Sequence, residues 1–177
     1  MLVHPSTIFE SFNLDISDLS EIGAIFAEHT KKGDLLLLSG KVGAGKTELA
    51  RQIIKAKAIK EKLDIEEISS PTFSIIQSYD FQCCKILHID LYRVNSEVEL
   101  FELGIPDIFD NQITILEWPE ILETKNLVRN ISIEIKETKE VKKTKEARVI
   151  KIGFRGNGWS DLIIALLGSR HFSDEKL

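Results

Sequence analysis

Asp34-Leu35-Leu36-Leu37-Leu38-Ser39 runs straight into Gly40-Lys41-Val42-Gly43-Ala44-Gly45-Lys46-Thr47. The first stretch is short and continuously apolar, as befits a strand buried on both faces of a parallel sheet. The second carries Gly-x-x-x-x-Gly-Lys-Thr, and a helical pattern with Leu49, Ile53, Ile54 and Ala56 on one side follows it. Strand, glycine-rich turn and helix start together make a phosphate-binding loop. The glycines let the backbone turn tightly, so the N–H groups of Gly40, Val42, Gly43, Ala44 and Gly45 can aim inward. With the positive end of the helix they form a cradle for anionic oxygens. Lys46 is placed to reach the terminal phosphates and Thr47 to set its hydroxyl on Mg²⁺. A glycine-rich turn without a ligand would have no use for that lysine and hydroxyl at the helix start.

Around this centre the chain alternates strand and helix patterns. Residues 7–14 read as a first strand. Asp18-Leu19-Ser20-Glu21 reads as a capping box, opening a helix with Leu19, Ile22, Ile25, Phe26 and His29 on its spacing and ending near Thr30 before Lys31-Lys32-Gly33. Phe73 to Tyr79 and Lys85 to Asp90 read as an antiparallel pair of strands about Asp80-Phe81-Gln82. Ser96 to Glu99 is a second capping box and starts a short helix to Leu103 before Gly104. Ile113 to Leu116 is another buried strand. Asn130 to Ile135 and Ala147 to Phe154 are strands on either side of a lysine- and glutamate-rich stretch, about 136–146, read as a solvated hairpin tip or loop. Trp159 to Leu167 reads as a closing amphipathic helix. No internal repeat or domain boundary stands out, so one α/β domain over 1–177 is expected.

Two acids end strands. Glu117 follows Ile113-Thr114-Ile115-Leu116, and Asp90 follows Lys85-Ile86-Leu87-His88-Ile89. Magnesium takes hard oxygen ligands, directly or through water, so either acid can hold metal water or orient an attacking water. The residues alone leave that choice open. His88 shares a strand face with Asp90; it reads as a hydrogen-bonded structural histidine, with assisted proton transfer the alternative. Trp118 and Tyr92 read as core aromatics. Neither Asn-Lys-x-Asp nor Asp-x-x-Gly occurs in the nucleotide-reading context of a GTPase, so ATP is the expected nucleotide.

Composition bounds the rest. The 177 residues are 43% hydrophobic and 29% charged, with a formal net charge of −5. That balance suits a globular domain and argues against gripping nucleic acid unaided, which calls for a basic excess. Cys83 and Cys84 are adjacent, read as two reduced thiols of a cytoplasmic chain. Met1-Leu2-Val3-His4-Pro5 lacks the basic and apolar start of a signal peptide, and no apolar run reaches the roughly 18 residues of a membrane span.

Several segments follow the phosphate loop in a particular order: Ser70-Pro71-Thr72-Phe73, His88-x-Asp90-Leu91-Tyr92-Arg93, Leu103-Gly104, Glu117-Trp118-Pro119-Glu120 and Glu146-Ala147-Arg148-Val149. Together they resemble the TsaE family, also called YjeE, the ATPases of bacterial tRNA threonylcarbamoyladenosine synthesis. The resemblance runs from about Asp34 to Glu120, thins through the charged stretch and does not extend to the last twenty or so residues. It implies a three-layer α/β phosphate-loop NTPase domain with a central mixed sheet. It implies Mg·ATP hydrolysis, feeble alone, that supports the partner proteins TsaB and TsaD on tRNA. Carried over by position, Thr47 and Glu117 would bind Mg²⁺. Asp90, Glu120 and Arg148 would lie at the nucleotide. Lys46, Asp90, Glu117 and Thr72 would serve catalysis, Thr72 as a switch hydroxyl. Trp118 would border the site or the partner surface. Lys41 departs from the acidic or amide residue frequent after the first glycine.

Two other classes share the loop. A small-molecule kinase would need an acceptor pocket and an arginine-rich lid, and Arg93 stands alone between strand and helix. A binding module that does not hydrolyse would have no need of the acids at the strand ends.

Overall fold

The computed structural model describes residues 8–11, 14–65, 67–105, 109–122, 127, 129–138 and 147–173. Residues 139–146, most of the charged stretch, lie outside it, as do residues 1–7, 12 and 13 of the N-terminal reading. Among the described residues, eight strands form one mixed sheet in the order β3-β4-β5-β2-β6-β7-β1-β8. They are β1 (Ile8–Ser11), β2 (Leu35–Ser39), β3 (Ile76–Asp80), β4 (Lys85–Asp90), β5 (Ile113–Glu117), β6 (Asn130–Thr138), β7 (Ala147–Arg155) and β8 (Phe172–Ser173). The helices are α1 (Leu19–His29), α2 (Lys46–Glu61), α3 (Glu97–Glu102) and α4 (Ser160–Gly168).

The leucine run of β2 occupies the middle of the sheet, parallel to β5 on one side and β6 on the other. Alternation sends Leu36 and Leu38 toward α1, α2 and α4, and Leu35 and Leu37 toward α3. Both faces are therefore covered, giving three layers. Burying one such leucine is worth roughly 1.5–3 kcal/mol, so the four of β2 anchor the strand from which the phosphate loop springs. Ile131, Ile133 and Ile135 of β6, and Ile150, Ile152 and Phe154 of β7, extend the core beneath the three helices.

Helices α1 and α2 pack closely at Gly23. A Cβ there would stand 2.7 Å from Gln52 Cβ and 2.8 Å from the Gln52 carbonyl carbon. Overpacking costs roughly 1–3 kcal/mol, against about 1 kcal/mol gained by alanine over glycine inside a helix. Because the obstructing atoms include backbone, Gly23→Ala is expected to lose about 1 kcal/mol net in urea unfolding. Equal or greater stability would show slack between the two helices.

Several local expectations shift. The capping box at Asp18 does not form: Asp18 is itself helical and caps nothing with its side chain. The reciprocal pair sits one turn earlier, where Asp15 Oδ1 accepts from the Asp18 N–H (3.2 Å) and Asp18 Oδ2 from the Asp15 N–H (2.9 Å). The box at Ser96 forms, with Ser96 Oγ accepting from the Glu99 N–H at 3.2 Å. Phe73 to Ile75 is a turn rather than strand: Ile75 has φ +65° and its N–H bonds Pro71 O, so pairing with β4 starts at Ile76. Strand β6 continues through Thr138, three residues into the charged stretch, because its ladder with β7 runs unbroken to Thr138–Ala147. The last helix spans Ser160–Gly168, and β8, unread in the sequence, follows it to pair with β1. Cys83 is exposed and Cys84 buried, both free, with sulfurs 3.3 Å apart. Burial, with Cys83 beside it, pushes the Cys84 thiol up to about 11. Among the described residues no helix is long and apolar enough to cross a membrane.

Candidate active site

Strands β2, β4 and β5 are parallel neighbours, and their C-terminal ends deliver Ser39, Asp90 and Glu117 to one edge. Open α/β sheets bind ligands outside this end of their strands. Asp90 and Glu117 are partners in register. Glu117 lies on the α2 face, since Ile113 and Ile115 point into the core beneath that helix. Helix α2 starts where β2 ends, which sets Thr47 above Glu117. The Thr47 hydroxyl donates to Glu117 Oε2 at 2.9 Å.

Gly40, Gly43 and Gly45 all have positive φ (136°, 83° and 112°), the backbone freedom this loop demands. Gly45 precedes the first turn of α2, and no described side chain caps that helix. Its leading N–H groups are thus left for an anion. Lys46 is buried, 4% exposed, and its ammonium curls into the loop to donate to Gly40 O (2.7 Å) and Lys41 O (2.9 Å). The same ammonium lies 3.8 Å from the centroid of the Trp118 ring. Burial lowers the Lys46 pKa, and the carboxylates of Glu117, Asp90 and Glu120 oppose that shift.

Asp90 collects a different set of donors. Thr72 donates to Oδ2 at 2.6 Å, and the Tyr92 N–H to Oδ1 at 2.9 Å. Ser70 lies 2.8 Å from the Thr72 hydroxyl, so a Ser70–Thr72–Asp90 relay runs off the turn ahead of β3. Glu117 has both oxygens engaged: Thr47 at one, and His88 Nε2 at 2.8 Å from the other.

Arg148 sits beneath the loop. It is buried, and its Nε donates to Ala44 O at 3.0 Å. Glu120 stands exposed on the short 3-10 turn Pro119–Ile121. It lines a cleft of about 880 Å³ together with Gly40, Lys41, Val42, Ala44, Tyr92 and Trp118, closed on its far side by Glu134 to Glu137 of β6. That volume suits a nucleotide-sized ligand. Lys41 and Val42 are exposed on its rim.

All the residues singled out from sequence thus meet at one sheet edge, although Arg148 contacts the loop's backbone rather than the open cleft. The core reading of Tyr92 is corrected, and that of Trp118 holds in part, since its ring packs against the core cluster on the α3 side while also facing the cleft. Tyr92 is 54% exposed and Trp118 half-buried, with ring centroids 4.9 Å apart at the cleft. Trp118 has φ 59°, ψ 57°, although the residue before a proline is ordinarily extended. That left-handed turn swings its ring over Lys46. The β6 lining was missed, since nothing local says which strand runs beside β2.

The donor set fits magnesium and a triphosphate. Hard oxygens of Thr47 and Glu117 lie side by side, and an uncapped helix start and a buried ammonium face the same loop.

The family model described as threonylcarbamoyl adenosine biosynthesis protein TsaE matches residues 14–147. The Rickettsia conorii protein TsaE is 31% identical over 160 residues, spanning 90% of this chain and 87% of that one. The Rickettsia typhi protein is 38% identical over 111 residues (63% and 73%), and that of Bacillus subtilis 35% over 117 (65% and 69%). In fold, the crystal structure of Bacillus subtilis YdiB superposes with a TM-score of 0.64 at 22% identity, covering 90% of this chain and 94% of that one. A phosphate loop on a three-layer α/β sheet, with the family's match running from Leu14 to Ala147, places this chain in the TsaE family of threonylcarbamoyladenosine biosynthesis proteins.

Proposed function

We propose that the chain binds and hydrolyses Mg·ATP at the phosphate loop in the cytoplasm. We further propose that this cycle supports a TsaB–TsaD complex in forming threonylcarbamoyladenosine on the tRNA adenosine beside the anticodon. The observation that carries the reading is the Thr47–Glu117 hydrogen bond of 2.9 Å beside the loop that holds Lys46. The names of the relatives carry the link to tRNA modification.

Phosphoryl transfer rests mainly on positioning and electrostatics. Lys46 and the leading N–H groups of α2, with those of the loop, hold the terminal phosphates. Thr47 would offer an oxygen lone pair to magnesium while its hydroxyl proton stays hydrogen-bonded to Glu117. Magnesium, when bound, neutralises phosphate charge. Both acids have both oxygens engaged, Glu117 by Thr47 and His88 and Asp90 by Thr72 and the Tyr92 N–H. Of the two, Asp90 is held by the turn ahead of β3, so it would orient the attacking water once Thr72 turns from it to the phosphate. Arg148 acts through the loop that it braces at Ala44. Glu120 and Trp118 flank the cleft mouth.

In the resting arrangement Thr72 bonds Asp90, and Phe73 beside it is 83% exposed. Docking of the partner pair on this turn releases Thr72 and completes the site, so turnover by the chain alone is weak. With a net charge of −5, the chain meets tRNA through its partners. The test is ATP hydrolysis by the purified chain, alone and with TsaB and TsaD. Strong stimulation is expected. Turnover unchanged by the pair, with no binding between the proteins, refutes the partner role.

A further inference from the structure

We propose that His88 is a positioning residue, which fixes the Glu117 carboxylate so that Thr47 and the magnesium site are served by one defined oxygen. The inference rests on the reading of the loop as a Mg·ATP site.

Both side chains are shut away from solvent, His88 at 0% and Glu117 at 1% exposure. The contact arises from sheet register. His88 precedes Asp90 by two residues on β4, and His88 is in register with Ile115, two residues before Glu117 on β5. The ring therefore lies behind the carboxylate, deeper in the sheet, while Thr47 approaches from α2. A carboxylate can only accept, so Nε2 carries the proton in the 2.8 Å contact with Oε1. Oε2 is left for Thr47.

Nδ1 is buried without a hydrogen-bond partner among the described residues. His88 is thus held by its bond to Glu117 and by packing, with no second polar anchor there. A histidine kept only for core packing would not need its one bond aimed at the acid beside the metal site. Groups that orient a metal-side ligand typically change metal affinity about 10- to 100-fold when removed. Without His88, Glu117 Oε1 would be a buried acceptor with no donor. The carboxylate would turn, and the Thr47 pair would loosen.

The test pairs His88→Gln with His88→Asn. The glutamine amide can reach the place of Nε2 and donate to Oε1; the asparagine amide ends near Nδ1 and cannot. Both are polar fillings of similar cost, and circular dichroism checks that each folds. ATP affinity is then measured by calorimetry in magnesium and in EDTA for the wild type and both variants, each holding the loop unchanged. The readout is the gain in affinity that magnesium brings. In His88→Asn that gain is expected to fall about 10-fold with the EDTA affinity unchanged, and in His88→Gln to stay near wild type. An undiminished gain in folded His88→Asn overturns the proposal. So does an equal loss in magnesium and EDTA, or an equal loss of the gain in both variants, since a structural role would give those patterns. A wild type that binds no ATP, or gains nothing from magnesium, fails on the prior reading itself and takes the proposal with it.

Discussion

Lys46→Ala is expected to lower ATP turnover by about 100-fold or more, the usual cost of removing one preorganised charge-stabilising donor. The reason lies in how the loop is built. The ammonium curls into the loop, bonded to the carbonyls of Gly40 and Lys41. Phosphate oxygens would compete for the same three protons. The carboxylates of Glu117, Asp90 and Glu120 gather round it, and without it their charge faces the phosphates unopposed. The fold should survive, because the core of α2 rests on Leu49, Ala50, Ile53 and Ile54. Turnover is checked at saturating Mg·ATP, with far-ultraviolet circular dichroism as the control for folding. A folded variant that hydrolyses ATP at the wild-type rate contradicts the assignment of the loop.

Gly40→Ala is expected to fail for a different reason, at the level of the backbone. Gly40 has φ +136°, and a Cβ there would stand 2.3 Å from Ile135 O and 3.4 Å from Ala44 Cβ. The first obstacle is the main chain of β6, which is held to β2 by a parallel ladder through Ser39–Glu134. It cannot move without breaking the sheet next to the loop. The φ strain and the overpacking together cost roughly 3 kcal/mol. Urea unfolding measures that loss, and ATP affinity should fall with it because the first N–H of the cradle is displaced. Gly43 is the internal comparison. It also has positive φ, but a Cβ would meet nothing closer than Glu137 Oε1 at 3.8 Å. Gly43→Ala should therefore cost about 1 kcal/mol from the backbone alone. Equal effects of the two substitutions would mean that φ, not the approach of β6, limits the loop.

The loop was legible in the sequence because its residues answer to local chemistry at fixed offsets. Glycines, lysine and threonine are needed there whatever the rest of the chain does, and the leucine run before them announces a doubly buried strand. The acids at the strand ends were legible for the same reason. What joins them was not. Thr47 and Glu117 are 70 residues apart, and their bond depends on β2 and β5 being neighbours. His88 could be placed on the face of Asp90, but its true partner, Glu117, follows only from the parallel register of β4 with β5. Tyr92 and Trp118 look like core residues by type. They stand at the open end of the sheet, and a left-handed residue before Pro119 turns the tryptophan ring over Lys46 against the usual preference. The reciprocal pair forms between Asp15 and Asp18, directly after the Leu14–Arg148 bridge, a position that no local pattern announces. A two-residue strand such as β8 has too few residues to carry any alternation.

The central claim is that the phosphate loop of this chain is a nucleotide site, and calorimetric titration of Mg·ATP into the purified chain tests it most directly. One molecule bound per chain, with affinity lost in Lys46→Ala, is the expected result. Absence of binding by the folded wild-type chain, or undiminished binding by Lys46→Ala, would contradict it.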